Sequence, residues 1–376
     1  MATPTEIVWA RDPHTAAKHD LLRKYLSAWL PILFTTHPRV TYADGFAGPG
    51  VYNRDEPGSP VIALEVIAKH QDLLAAHPDH TLDVVFIEEN RRRHDRLEQE
   101  LARARDRLGR PPPNVHVHPP VCGDCTDQLP RLLTALGAWG TPMFAVLDSF
   151  GGPDVPFDVV RSIAANPSGE VLATFGPTFL TRHGENPQHA DAGDRAFGSR
   201  QWRGVFHEPS ERKWAYLVEA YRASLHRAGF AYVLGFEMVD ERGSQLWLMF
   251  GTSSPKGVEK MKDAMWAVDP ANGIRYRDPR DPNQMTLEIQ QNPDTAPLSR
   301  MLRDVLATGS RSLDQLREYA LLETVYRPQQ VRGVVRRLIS DGLLARSVGG
   351  QLSGATTLDL ARPRAGGEEQ QTLFET

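Results

Sequence analysis

Between an apolar run at residues 40–43 and a helix-forming run from Ser59, the chain reads Asp44-Gly45-Phe46-Ala47-Gly48-Pro49-Gly50. Glycine lets the backbone take left-handed angles and approach a ligand closely, and a helix N-terminus offers free N–H groups to an anion. A loop of this kind demands a buried strand before it and a helix after it. Ser59-Pro60 supplies the helix start, with a capping side chain and proline at the first helical position, followed by Val61, Ile62, Leu64, Val66 and Ile67.

The alternation then repeats. Residues 82–87, 115–117, 143–147 and 171–175 are apolar runs of strand type, with helical spacing at 91–107, 128–136 and 157–164 between them. Five such units predict an open parallel sheet with helices on both faces and ligands beyond the carboxyl ends of the strands. Ahead of the loop, Leu21, Leu22, Tyr25, Leu26, Trp29 and Leu30 predict an amphipathic helix over 14–30, which Pro31 should end. Residues 181–209 show no sustained periodicity and predict a mobile lid. A helix at 212–228, a hairpin of strands 232–239 and 245–250 joined by a turn at 240–243, and a helix at 256–266 complete the pattern.

Acidic residues at later strand ends give the loop its meaning. Glu88 closes the second strand, where a carboxylate can accept two ribose hydroxyls. Asp124 follows the third, where an acid can receive an adenine amino group, with Cys125 and Thr126 as neighbours. The alternative is that Glu88 and Asp124 only cap the helices after them. The Gly-x-Gly-x-x-Gly spacing of a nicotinamide site is absent. The expected cofactor is therefore S-adenosylmethionine, held by Asp44, Phe46, Ala47, Gly48, Gly50, Glu88, Asp124 and Cys125. The expected fold is α/β, a Rossmann-like class I methyltransferase sheet, for which the closing hairpin is the anticipated ending.

At the end of the fourth strand stand Asp148, Ser149 and Phe150, beside the expected sulfonium. In enzymes that methylate an exocyclic amine, an acid here accepts the amine hydrogens and an aromatic stacks on the base. Asp148 and Phe150 suit those roles, although Ser149 replaces the usual proline. His14 and Lys18, one turn apart, can reach the mouth of such a site, or form a solvated basic face. His116, His118, Cys122 and Cys125 offer four zinc ligands in ten residues, but a zinc site spaces its ligand pairs more widely, and Cys122 and Cys125 straddle the adenine position. No metal is expected.

The last quarter differs in charge. Residues 298–364 hold eleven arginines against six acids, a net of +5 that leaves −9 for the remainder of a chain carrying −4. After a Pro- and Asp-dotted linker at 269–296, helices at 298–307, 312–319 and 329–341 and a wing at 343–346 and 357–358 predict a C-terminal winged-helix domain over 297–362, with a disordered tail at 363–376. Arg327, Arg332, Arg336 and Arg337 of its third helix are placed to hold phosphates, with Pro328-Gln329-Gln330 entering a groove. A docking or dimerisation module is the alternative. No run of ~20 apolar residues is present and Met1 to Asp12 lacks a signal pattern, so no membrane association is expected and the expected compartment is the cytoplasm. Two cysteines build no disulfide framework.

With these residues assembled, the chain resembles the bacterial three-Cys-motif partner protein family. The resemblance runs through His14-Thr15-Ala16-Ala17-Lys18-His19, Tyr42 to Tyr52, Pro57-Gly58-Ser59-Pro60, Phe86-Ile87-Glu88-Glu89-Asn90, Asp148-Ser149-Phe150-Gly151 and Lys260 to Trp266. The loop is also similar to that of ribosomal RNA adenine-N6 methyltransferases, Asp-x-x-Ala-Gly-x-Gly-x-Tyr, matched by Asp44 to Tyr52, which implies a substrate-side role for Tyr52. The resemblance implies a methyltransferase-like N-terminal body over 36–268, preceded by the helix at 1–35, and a partner bearing a three-cysteine motif. The expected activity is methylation of an amine on a nucleic-acid base, RNA rather than DNA. The alternatives are a small-molecule methyltransferase or a non-catalytic cofactor-binding adaptor for that partner.

Overall fold

The computed structural model describes residues 6–149, 152–239, 243, 245–270, 273, 275–277, 294–347 and 351–361. They fall into two units divided between Pro293 and Asp294. In the first, the apolar runs become α1 (Pro13–Thr36), β1 (Arg39–Asp44), α2 (Ser59–Lys69), α3 (Gln71–Ala75), β2 (Thr81–Glu88), α4 (Arg91–Leu108), β3 (Val115–Val117), β4 (Val121–Cys122), α5 (Cys125–Ala135), β5 (Met143–Leu147), α6 (Phe157–Ala164) and β6 (Gly169–Phe175). They continue as α7 (Pro177–His183), α8 (Pro187–Phe197), a 3-10 helix (Gln201–His207), α9 (Lys213–Ala228), β7 (Tyr232–Val239), β8 (Gln245–Thr252), α10 (Pro255–Val268) and β9 (Arg275–Arg277).

The strands form one sheet in the order β3-β2-β1-β5-β6-β8-β7-β9, with β4 extending beside β2. The strands from β3 to β6 are parallel, and β8 inserts antiparallel between β6 and β7. The path leaves β1 towards β2, then returns to its other side at β5. That reversal opens a crevice beyond the carboxyl ends of β1 and β5, where open α/β sheets bind ligands. One apolar layer joins α1, α2, α4 and α10 to the sheet, and a second joins α5 to α9 to the opposite face.

Three expectations change. α1 continues through Pro31 to Thr36. Proline removes the bond to the Ser27 carbonyl four residues back, and Phe34, fully buried beyond it, keeps the helix against the core. The segment read as a mobile lid is helical and packed: Trp202 and Val205 are fully buried, Phe197 nearly so. Asp194 binds Trp202 Nε1 at 3.0 Å and the Arg203 guanidinium at 2.7 Å. These polar pairs stand in for the apolar periodicity that the sequence lacks. Finally, the linker contains a strand, because β9 pairs parallel with β7.

The second unit contains α11 (Ala296–Ala307), β10 (Arg311–Ser312), α12 (Leu313–Glu323), α13 (Pro328–Ser340), β11 (Leu344–Arg346) and β12 (Thr357–Leu360). Its strands form an antiparallel ladder, β10-β12-β11, so the expected two-stranded wing gains a third strand. Leu302, Leu316, Val331, Val335 and Leu358 fill its core, and Ser312 and Gln315 cap α12 reciprocally. The tail at 363–376 and most of the turn at 240–243 lie outside the described residues. Among the described residues no helix is long and apolar enough to cross a membrane.

At the amino end of β6, Glu170 is 3% exposed and accepts hydrogen bonds from Tyr25 Oη at 2.6 Å and Thr252 Oγ1 at 2.8 Å. Burial pushes its carboxyl up to about 7. Folding thus favours the protonated form, and this contribution is lost as pH rises from the ordinary carboxyl range through the raised value. Glu170→Gln should therefore gain stability on the wild type as pH rises from about 5 to about 8. Thermal unfolding across that range measures the difference, and a constant offset would refute a titrating Glu170.

Candidate active site

β1 sits at the reversal, and its register fixes where the acids point. Asp44 is level with Phe86 of β2 and Val146 of β5. Side chains alternate along strands, so Glu88 and Asp148, each two residues beyond a partner of Asp44, lie on the same face. Three carboxylates therefore flank the glycine loop from three adjacent strands.

The loop is hooked to both neighbours. Gly45 N–H donates to Val146 O at 2.9 Å and Ala47 N–H to Ile87 O at 2.8 Å. Phe46 N–H donates to the Asp44 carboxylate at 3.2 Å. Glu88 accepts from Gly48 N–H and Asn90 N–H, both at 2.9 Å. Gly48 and Gly50 have φ of +61° and +75°, angles that disfavour any other residue. A Cβ on Gly48 would meet nothing within 4 Å, so that side of the loop is open. On the closed side, a Cβ on Gly45 would lie 2.5 Å from Cys125 Sγ, and one on Gly58 would lie 2.9 Å from the Gly50 carbonyl carbon.

Cys125 packs against the loop at Gly45, and burial pushes its thiol up to about 12. Asp124 is exposed and caps α5 through Thr126 N–H at 2.6 Å. That is the capping alternative, and it leaves one carboxylate oxygen uncommitted.

The acids differ in charge state because their surroundings differ. Asp44 is fully buried. Burial raises its carboxyl to about 7, with Ser59 and Phe46 N–H pulling it back and the negative Asp148 and Glu88 pushing further. Burial also raises Glu88, against its two N–H donors and Arg93. Burial pushes Asp148 upward too, but Lys18 outweighs it, with Thr174 and His19 adding, so its carboxyl stays below the usual range.

The packing of α1 explains why Lys18 reaches that point. Tyr25 rests on Phe144 of β5, ring centres 5.0 Å apart. Seven residues back along the helix is about 10 Å, and four residues on along the strand is about 13 Å. Two antiparallel elements thus bring Lys18 to Asp148, and the two form an ion pair with side chains 12% and 19% exposed. His19 beside it is 5% exposed; burial, then the Lys18 charge, lowers its imidazole to about 3. Its ring lies 5.5 Å from that of Tyr52, which stands 5.6 Å from Trp9. His14 is buried as well, so this end of α1 is no solvated basic face.

Ser149 donates its hydroxyl to Gly152 O at 2.9 Å and is nearly buried. Phe150 lies outside the described residues. His118 is engaged by Asp83 at 2.8 Å. In the second unit, Gln330 accepts from Arg327 N–H at 2.7 Å and the Arg332 guanidinium donates to Leu352 O, so Arg332 is partly committed to its own fold. Arg336 and Arg337 are exposed and, among the described residues, form no ion pair. His19, Ser59, Thr174 and Gly58 were not among the expected site residues. His19 carried a signal through its adjacency to Lys18, and Gly58 and Ser59 through the helix start at Ser59-Pro60.

No family model and no curated protein matches the chain. Among solved structures, it is similar to the O-methyltransferase TomG from Streptomyces achromogenes, involved in tomaymycin synthesis and in complex with S-adenosylmethionine, at 17% identity and a TM-score of 0.32 over 62% of this chain and 79% of that one. It is similar to the DszA carbon methyltransferase at 15% identity and a TM-score of 0.35 over 64% of this chain and 55% of that one. At such scores the functional reading rests on the geometry of the site.

Removing one partner of a buried ion pair costs about 3–5 kcal/mol. Lys18→Met should destabilise the first unit by about that much at neutral pH, and Lys18→Met with Asp148→Asn should recover most of it. Urea unfolding of the two variants decides; equal stabilities would mean that Lys18 and Asp148 are not coupled.

Proposed function

We propose that the first unit is an S-adenosylmethionine-dependent methyltransferase domain. The observation that carries this reading is the set of three carboxylates, Asp44, Glu88 and Asp148, on one face around a glycine loop at the reversal of the sheet, with Gly48 open to the crevice. Bound there, the cofactor supplies an electrophilic methyl group on a sulfonium. Glu88 spends two of its roughly four acceptor positions on backbone N–H groups, leaving capacity for two ribose hydroxyls. Gly48 and Gly50 let the loop backbone approach the cofactor, and Asp124 retains an oxygen for the adenine amino group.

For the acceptor, a small molecule is the better reading. Asp148 is neutralised by Lys18 beneath α1, so it is poorly disposed to act as the bare acceptor of amine hydrogens that a base methylase needs. The Lys18–Asp148 pair instead offers both a donor and an acceptor to a polar small molecule. A nucleic-acid acceptor draws on the second unit alone, whose three helices and antiparallel ladder fit a winged helix and whose α13 bears exposed Arg336 and Arg337 and no acid.

Titration calorimetry with S-adenosylmethionine and S-adenosylhomocysteine tests the cofactor. Both should bind, Gly48→Asp should abolish binding, and Glu88→Ala should weaken it by roughly tenfold or more, the loss of about 1.4 kcal/mol. Unchanged binding in Gly48→Asp would sink the loop assignment. Tritiated-methyl transfer to small-molecule extracts, RNA and DNA then tests the acceptor. Transfer to nucleic acid that falls in Arg336→Ala/Arg337→Ala would overturn the small-molecule reading. Binding without transfer to any acceptor would favour the adaptor role towards a three-Cys-motif protein.

A further inference from the structure

In the first turns of α4, a second constellation stands apart from the three carboxylates. A ring nitrogen of His94 and one carboxylate oxygen each from Asp95 and Glu98 lie within 4.8 Å of one another. His94 is 5% exposed, and its Nε2 is 3.0 Å from the carbonyl oxygen of Pro120. A carbonyl only accepts, so Nε2 carries the hydrogen, and the neutral form of the ring then holds its lone pair on Nδ1, on the other side. That buried nitrogen finds no hydrogen-bond donor. It faces Asp95 Oδ1 at 3.6 Å. A lone pair directed at a carboxylate is repulsive, and a buried acceptor without a donor is costly; a cation between the three groups relieves both.

We propose that His94, Asp95 and Glu98 bind a divalent transition-metal ion, with Zn²⁺ as the best-suited species. An imidazole nitrogen with two carboxylate oxygens suits zinc and its neighbours, whereas Mg²⁺ and Ca²⁺ select oxygen ligands. Three protein ligands leave a fourth position for water. The Pro120 carbonyl is the outer partner that a metal-bound histidine normally has, fixing tautomer and ring orientation. One competitor is present: Arg91 Nε lies 3.0 Å from Asp95 Oδ1, with side chains 75% and 49% exposed. An exposed helical pair of this kind is weak, and the metal displaces it. Glu98 forms no ion pair among the described residues.

All three ligands lie on α4, so the ion steadies the first turns of that helix and fixes the ring whose Nε2 already bonds the Pro120 carbonyl ahead of β4. The metal alone tests this, on full-length protein stripped with chelator. Calorimetry should give a saturable Zn²⁺ site, with Mg²⁺ at least ~100-fold weaker, and Zn²⁺ should raise the unfolding temperature. Asp95→Asn and Glu98→Gln should each weaken Zn²⁺ binding by roughly 10–100-fold, and Glu98→Gln should leave the unfolding temperature without metal unchanged. The proposal fails if Zn²⁺ does not saturate a site, as when His94 is merely an imidazolium paired with Asp95. It fails equally if binding survives both substitutions, which would place the ion on His116, His118 or Cys122 instead, or if Mg²⁺ binds as tightly.

Discussion

An ionised carboxylate at the buried end of β5 needs a counter-charge, and the chain meets that need from more than a hundred residues away. Lys18 reaches Asp148 only because α1 lies antiparallel to β5 with Tyr25 seated on Phe144. The same packing buries His14 and His19 and sets His19 against Tyr52. One charge requirement thus ties the amino-terminal helix to the central strand.

The other two acids are managed differently. Asp44, with no cation to offset burial, is held near neutrality. Glu88, also raised by burial, is pulled back by the backbone N–H groups of Asn90 and Gly48 that it grips. Three like residues at three adjacent strand ends therefore take three roles: one muted by desolvation, one neutralised by a lysine, one pinned by amides. The loop inherits its shape from this arrangement. Its left-handed glycines leave one side open, and on the other side Gly45 and Gly58 are required by contact with Cys125 and Gly50.

How much of this was legible depended on the range of the interaction that decides each feature. The strands at 143–147 and 232–239 and the helix at 157–164 were readable to the residue, since apolar runs bounded by breakers encode local structure. Pro31 misled, because core packing beyond it, with Phe34 fully buried, holds the helix past the one bond that proline removes. The region at 181–209 misled because Asp194 organises Trp202 and Arg203 through polar contacts that leave no period in the sequence. Cys125 lies beside the loop in space, as expected, yet its side chain points beneath the loop.

The sequence by itself determined the alternation of strands and helices, the glycine loop at the first strand end, the acids at the later ones and the basic character of the last quarter. Each depends on residue type and spacing within a dozen positions. Only the tertiary structure decided that Asp148 is paired with Lys18, that Glu88 grips the loop and that His94 turns an unshared nitrogen towards Asp95. Those outcomes depend on which distant groups reach a buried charge or lone pair first, and desolvation makes that choice after the chain has packed.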